Sequence, residues 1–250
     1  MNRRTRVSLF GALAVVLAAC GGGSDPKPVD PIEITTTAIE TGPPLDMDRT
    51  VDPNTGAFDP DEWPSACELI DEATVRSIFP QADGVGRYAA PAQLNLFGFV
   101  PGSESPTKPL TIPEATCTTT VGFPQDGLGL DDGSVVVQVT SAVAVAGSEE
   151  FVELNSKAAM SGDVSDVGGG ACTLTPPGTY NCNTGRLIFS IHIDMRQTAQ
   201  YTKADGSEYI VDGEELRFQG ADPHWDSIIR DKVLVPIVEA AVARTTGSAS

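Results

Sequence analysis

Histidine is almost absent from this 250-residue chain, and aromatic residues make up only 6% of it. With His192 and His224 as the only imidazoles, multi-histidine metal sites are excluded, and neither lies at a zinc-like spacing from a cysteine. Basic residues are scarce too: 16 Lys and Arg stand against 34 Asp and Glu, for a formal net charge of −18. So acidic a chain repels nucleic acid and anionic lipid head groups, which argues against either as a direct electrostatic partner. No G-x-G-x-x-G or Walker loop is present, and no G-x-S-x-G nucleophile elbow. Ser105-Pro106-Thr107-Lys108 has the S-x-x-K spacing of penicillin-recognising enzymes. That motif works from a helix N-terminus, whereas here it lies among Pro101, Pro106 and Pro109 with no K-T-G following. The expectation is a chain with no catalytic residues, no cofactor and no metal, hence not an enzyme. No uncharged run reaches the roughly 20 apolar residues that cross a bilayer.

What is present begins at the N-terminus. Arg3, Arg4 and Arg6 precede an uncharged, mostly apolar stretch from Val7 to Ala19, the layout of a signal peptide. Leu17-Ala18-Ala19-Cys20 then has the form of a bacterial lipobox: an apolar residue, two small ones that let a peptidase approach the backbone, and a thiol to accept diacylglycerol. Residues 1–19 are expected to be removed and Cys20 to carry the lipid, anchoring the protein to the outer face of the cell membrane, since two or more acyl chains anchor durably. Removal takes away three arginines and no acid, so the net charge goes from −18 to −21.

Residues 20–62 read as the lipidated cysteine followed by a disordered acidic, proline-rich linker. Between 21 and 62 there are seven prolines, ten acids, two bases and one aromatic, Phe58, too little apolar surface to offset chain entropy. From Trp63 hydrophobic segments recur, giving one domain over 63–244 and a polar tail over 245–250. Asp71 caps a short helix that Pro80 ends after Phe79, with Ile70 and Val75 as a hydrophobic staple. Leu94, Leu96 and Val100, then Thr116 to Phe123, then Val135, Val137 and Val139 read as strands. Ser148 caps a second helix carrying Phe151, Leu154 and Ala158 on one face. Leu187, Phe189, Ile191 and Ile193 alternate along another strand. Asp222-Pro223 opens a long C-terminal helix that Pro236 should kink or break. The fold class is α+β: a curved antiparallel sheet packed by a short N-terminal helix, a middle helix and a long C-terminal helix.

Cys67, Cys117, Cys172 and Cys182 remain after lipidation, and an exported chain should hold them oxidised. Of three possible connectivities, Cys67–Cys117 and Cys172–Cys182 is favoured, because Pro176-Pro177-Gly178 makes a hairpin between the second pair. No C-x-x-C supports redox chemistry. His192 and Asp194 share a strand face, which could orient an imidazole, yet no serine partner stands out. His224 beside Trp225 reads as first-turn helix packing. Asp52-Pro53-Asn54-Thr55-Gly56 has the start of a calcium loop with its glycine one position early, and Asp126, Asp131 and Asp132 form a second acidic loop; both read as solvated turns. Trp63, Phe97, Phe99, Tyr180 and Trp225 read as core residues that could line an apolar pocket.

The order of lipobox, acidic linker, Cys67-Glu68-Leu69-Ile70-Asp71-Glu72-Ala73-Thr74-Val75, a second cysteine at Cys117, the turn Val164-Ser165-Asp166-Val167-Gly168 and a closing helix resembles an actinobacterial lipoprotein family of unassigned function. The likeness spans residues 63–244, and that family looks related to the extracellular sensor domains of mycobacterial receptor serine/threonine kinases. The resemblance implies a disulfide-bonded α+β binding or sensing module without catalysis; the Cys172–Cys182 pair departs from the pattern. The resulting expectation is a lipoprotein that captures a small apolar or envelope-derived ligand in a sheet–helix cleft. The alternative is a scaffold that docks an envelope enzyme or receptor.

Overall fold

The computed structural model describes residues 30–97, 109–123, 137–175, 178–195, 207–217 and 227–247. The signal peptide, Cys20, Phe99, Val100, residues 105–108, Asp126, Asp131, Asp132, Val135, Asp222-Pro223, His224 and Trp225 lie outside them.

Among the described residues the main sheet has seven antiparallel strands, curved but not closed. In chain order they are β2 (Gly84–Leu94), β3 (Leu110–Gly122), β4 (Val137–Ala146), β5 (Val164–Val167), β6 (Gly170–Thr175), β7 (Thr179–Asn183) and β8 (Leu187–Met195). Across the sheet they run β2-β3-β4-β8-β7-β6-β5. The β-branched and aromatic alternation in β4 and β8 explains why these two sit centrally. Val139, Ser141 and Val143 stand opposite Ile193, Ile191 and Phe189, all buried. β2 carries Pro91, which cannot donate to a ladder. It therefore lies at the sheet edge, where the register with β3 shifts between Ala90 and Ala92. The turn between β5 and β6 is Gly168-Gly169, both at positive φ (60° and 88°), as a two-residue hairpin turn requires.

The α+β expectation holds. Helix α1 (Glu72–Ile78) is capped by Asp71, whose Oδ1 accepts from Thr74 N at 2.7 Å, and it ends at Phe79. Helix α2 (Glu149–Ala159) is capped by Ser148, whose side chain accepts from Phe151 N. Its buried face is corrected: Phe151, Val152 and Asn155 point inward, while Leu154 is exposed and Ala158 faces solvent. The cause is Asn155. Its Oδ1 accepts from Phe97 N at 2.6 Å and its Nδ2 donates to Phe97 O at 2.8 Å, so a polar residue occupies the core stripe.

The C-terminal helix α3 (Val235–Thr246) is not broken by Pro236. Proline lacks an N–H, and its ring collides with the carbonyl four residues back in a regular helix. A single π-turn over Arg230–Leu234 precedes it, with Val235 N donating to Arg230 O five residues back, and the chain stays helical. The expected tail is also corrected. Thr245 and Thr246 belong to α3, their hydroxyls donating to Val242 O, and Gly247 ends the helix at φ 70°.

Both disulfides form as expected. Cys67, in a 3₁₀ turn just before α1, bonds Cys117 on β3; Cys172 and Cys182 are direct cross-strand partners on β6 and β7. Two formed disulfides mark an oxidising, extracytoplasmic setting. No helix among the described residues is long and apolar enough to cross a membrane.

The largest correction concerns residues 30–62, expected to be disordered linker. Ile32–Ile34 forms β1, pairing in parallel with β9 (Ser207–Val211), which turns through Asp212-Gly213 into β10 (Glu214–Arg217) to make a second, three-stranded sheet. Ile32, Ile34, Ala57 and Phe58 are buried. Two arginines from the domain hold the polar stretches between these anchors. Arg186 donates to Met47 O and lies 5.0 Å over the Phe58 ring, and Arg244 donates through Nε to Pro43 O at 3.0 Å. Mean composition over the segment conceals a few well-spaced apolar residues that meet partners nearly 200 positions away.

Candidate functional site: a cleft between residues 36–41 and the C-terminal helix

The segment after β1 is fixed on two sides before it reaches α3. Thr35 N donates to Ile78 O at 2.8 Å and Glu40 N to Ser77 Oγ at 3.0 Å, which ties the segment to α1. On the other side Thr36 donates through N and Oγ1 to the two carboxylate oxygens of Asp212, at 2.7 and 2.6 Å. Asp212 occupies the left-handed region (φ 49°) in the turn between β9 and β10, a conformation that Asp tolerates better than most residues. Burial pushes its pKa up, but the hydrogen bonds from Thr36 and Thr37 and the charge of Lys232 outweigh this and hold it below the ordinary value.

Between this braced segment and α3 lies a cleft of about 490 Å³. Thr37, Ile39 and Thr41 form one wall, and Pro236, Glu239 and Ala243 form the other. The β5–β6 turn closes one end, where Gly168 comes so near the helix that a Cβ there would stand 3.2 Å from Glu239 Cα. The volume suits a small molecule. The walls combine threonine hydroxyls, aliphatic surface and one carboxylate, which suits an uncharged or weakly cationic amphipathic ligand better than an anion.

A second cleft, of about 430 Å³, runs along Thr50, Asp52, Phe58, Pro60 and Leu110. Both are built largely from residues 36–62, the stretch read from sequence as linker, so no pocket reading begun at Trp63 could have found them. Of the expected aromatic set, Phe99 and Trp225 lie outside the described residues, and Trp63, Phe97 and Tyr180 line neither cleft. Trp63 is buried with its Nε1 donating to Phe58 O at 3.1 Å, and Tyr180 is buried, where desolvation raises its pKa against the nearby charge of Arg230. Phe97 is half-buried, its backbone clasped by Asn155.

His192 is fixed by backbone. Its Nδ1 lies 2.8 Å from Gly178 O and 3.5 Å from Thr179 Oγ1, so Nδ1 donates to the carbonyl. Across the sheet it stands opposite Thr140 and Thr179, with Ser190 and Asp194 two residues away on the same face. Asp52 folds back on its own loop: its Oδ1 accepts from Asn54 N and Nδ2, at 2.8 and 3.2 Å. Among the described residues no group of three or more His, Cys, Asp or Glu is gathered as a metal site would need.

Sequence reasoning missed Asp212, Arg244 and Asn155. The Asp212-Gly213 dipeptide between Tyr209-Ile210-Val211 and Leu216 was a readable hairpin signal. Compared with known proteins, the chain matches no family model, no curated protein and no solved structure.

Proposed function

We infer that this protein is a membrane-tethered, extracytoplasmic binding module without catalysis, anchored through lipidated Cys20, which holds a small apolar or envelope-derived ligand. The cleft beside α3 carries this reading, because its size and mixed walls suit such a molecule. The likeness to actinobacterial lipoproteins and receptor-kinase sensor domains belongs to the same proposal. Nine residues separate Cys20 from Asp30, so the ordered domain begins within about 35 Å of the lipid even on a fully extended chain. A ligand moving between bilayer and cleft therefore has a short path.

Native mass spectrometry of the mature chain, disulfides intact and exported from an actinobacterial host, tests the cleft. The expected result is a reproducible added mass that is lost on solvent extraction and absent from Ala243→Trp, whose indole would fill the cleft. A bare protein mass for the unmodified chain overturns ligand capture. Acyl labelling tests the anchor: Cys20→Ser should lose the label and leave the membrane fraction.

One observation favours the scaffold reading. Edge strand β5 leaves Val164 65% exposed beside exposed Ser165 and Asp166, an edge open to strand addition by an envelope protein. A photo-crosslinker at Val164 that captures the same membrane protein in repeated preparations would support it.

A further inference from the structure

The face of the seven-stranded sheet opposite Cys117, Ser141 and Ile191 has its own chemistry. Cross-strand register aligns Tyr88, Thr118, Thr140, His192, Thr179 and Thr175 in one row over six strands. At about 4.8 Å per strand the row is about 24 Å long. One flanking row contributes Thr120, Gln138 and Asp194, and the other Thr116, Ser190 and Asn181. Tyr88 is 71% exposed, while Thr118, Gln138, Thr140 and Ser190 are half-buried. Among the described residues, no side-chain hydrogen bond engages these last four. They are held on paired strands and remain partly open to solvent.

This composition excludes most partners. The three rows contain no Lys or Arg, so polyanions find no counter-charge. Asp194 is their only carboxylate, which makes a poor cation site. Threonine and serine are under-represented among the residues that dominate protein interfaces, and among the described residues the other exposed large apolar side chains, Leu154 and Val164, lie on α2 and β5. What fits is a neutral, hydroxyl-rich ligand whose rings also present a C–H face. Hydroxyls, an amide and an imidazole exchange hydrogen bonds with its OH groups, and the exposed aromatic stacks on a ring. A row of this length accepts a chain of several rings. The geometry points to a polysaccharide-binding platform on this face, recognising a neutral glycan through Tyr88, Gln138, Thr140 and His192. It is separate from the cleft beside α3.

Affinity electrophoresis of the full mature chain tests it, in gels containing soluble neutral glucan, mannan, galactan or arabinan in turn. Retardation by at least one of them is expected, weakened roughly tenfold in Tyr88→Ala and largely retained in Tyr88→Phe, which keeps the ring. Gln138→Ala and Thr140→Val should each weaken it further. Circular dichroism and intact disulfides verify that the variants fold. Ala243→Trp should bind glycan like the parent, which separates this proposal from the cleft. No retardation in any of the four gels overturns the platform. So does retardation that survives Tyr88→Ala, or that disappears in Ala243→Trp.

Discussion

Arg244 and Asp71 sit 3.9 Å apart, Nη1 to Oδ2, in a joint where α3 meets residues 43–71. The same guanidinium donates to Glu68 O and Pro43 O, and Arg244 O accepts from Leu45 N at 2.8 Å. Arg244 is only 6% exposed; burial lowers its pKa, partly offset by the nearby Asp71 and Glu68. Removing it leaves the carbonyls of Pro43 and Glu68 without this donor and takes the cation away from Asp71, which keeps its bond to Thr74 N. Arg244→Met should lower unfolding free energy by about 3 kcal/mol, and Arg244→Lys by less, measured by urea denaturation.

Gly42 belongs to the same joint. A Cβ at this position would stand 1.6 Å from Asp71 Oδ2, so any other residue here forces the Asp71 carboxylate out of its place between the helix cap and Arg244. Gly42→Ala should destabilise the protein by about 1–3 kcal/mol in the same assay, with the loss reduced in a background already lacking Arg244, since the two share partners.

The two disulfides should contribute unequally. They close sequence separations of 50 and 10 residues. The chain-entropy model gives about 4 kcal/mol for Cys67–Cys117 and about 3 for Cys172–Cys182. Paired Cys→Ser variants compared by thermal unfolding should show the larger fall for the first pair.

Truncation separates linker from domain. A chain beginning at residue 30 should unfold cooperatively and keep the native circular dichroism spectrum. One beginning at residue 63 loses β1 and Phe58, leaves β9 unpaired on one side, and should lose cooperative unfolding.

Asp212 supplies an acid-sensitive contribution. Its folded pKa lies below its unfolded value, so its stabilisation is complete above about pH 4, near the ordinary carboxylate pKa, and is lost as pH falls through the folded value. Asp212→Asn keeps a residue that tolerates positive φ and removes the titration. Stability measured from pH 6 down to pH 2 should fall less steeply in the variant.

Much of the fold was legible because its signals were local. Asp71 and Ser148 cap helices by side-chain chemistry readable from a few residues, β4 and β8 alternate with period two, and the short spacing of Cys172 and Cys182 lets them pair across adjacent strands. What escaped was non-local. Ile32 and Ile34 have no strand neighbour in sequence, and their partner β9 lies about 175 residues on. β2 was hidden by Gly84, Gly86 and Pro91, residues that read as loop and prove tolerable at a bulged edge. The cleft beside α3 could not be read because one wall lies in a stretch whose average composition says disorder, while individual side chains say otherwise.

The parallel pairing of β1 with β9 also sets an order of events. Strand β1 finds its neighbour only after residue 211 exists, and Pro43 and Leu45 wait for Arg244. The long-range closure that such contacts demand is slow to form. A growing chain therefore keeps residues 32–45 without these partners until residue 244 has been made, and whatever handles the nascent protein must shield them until then.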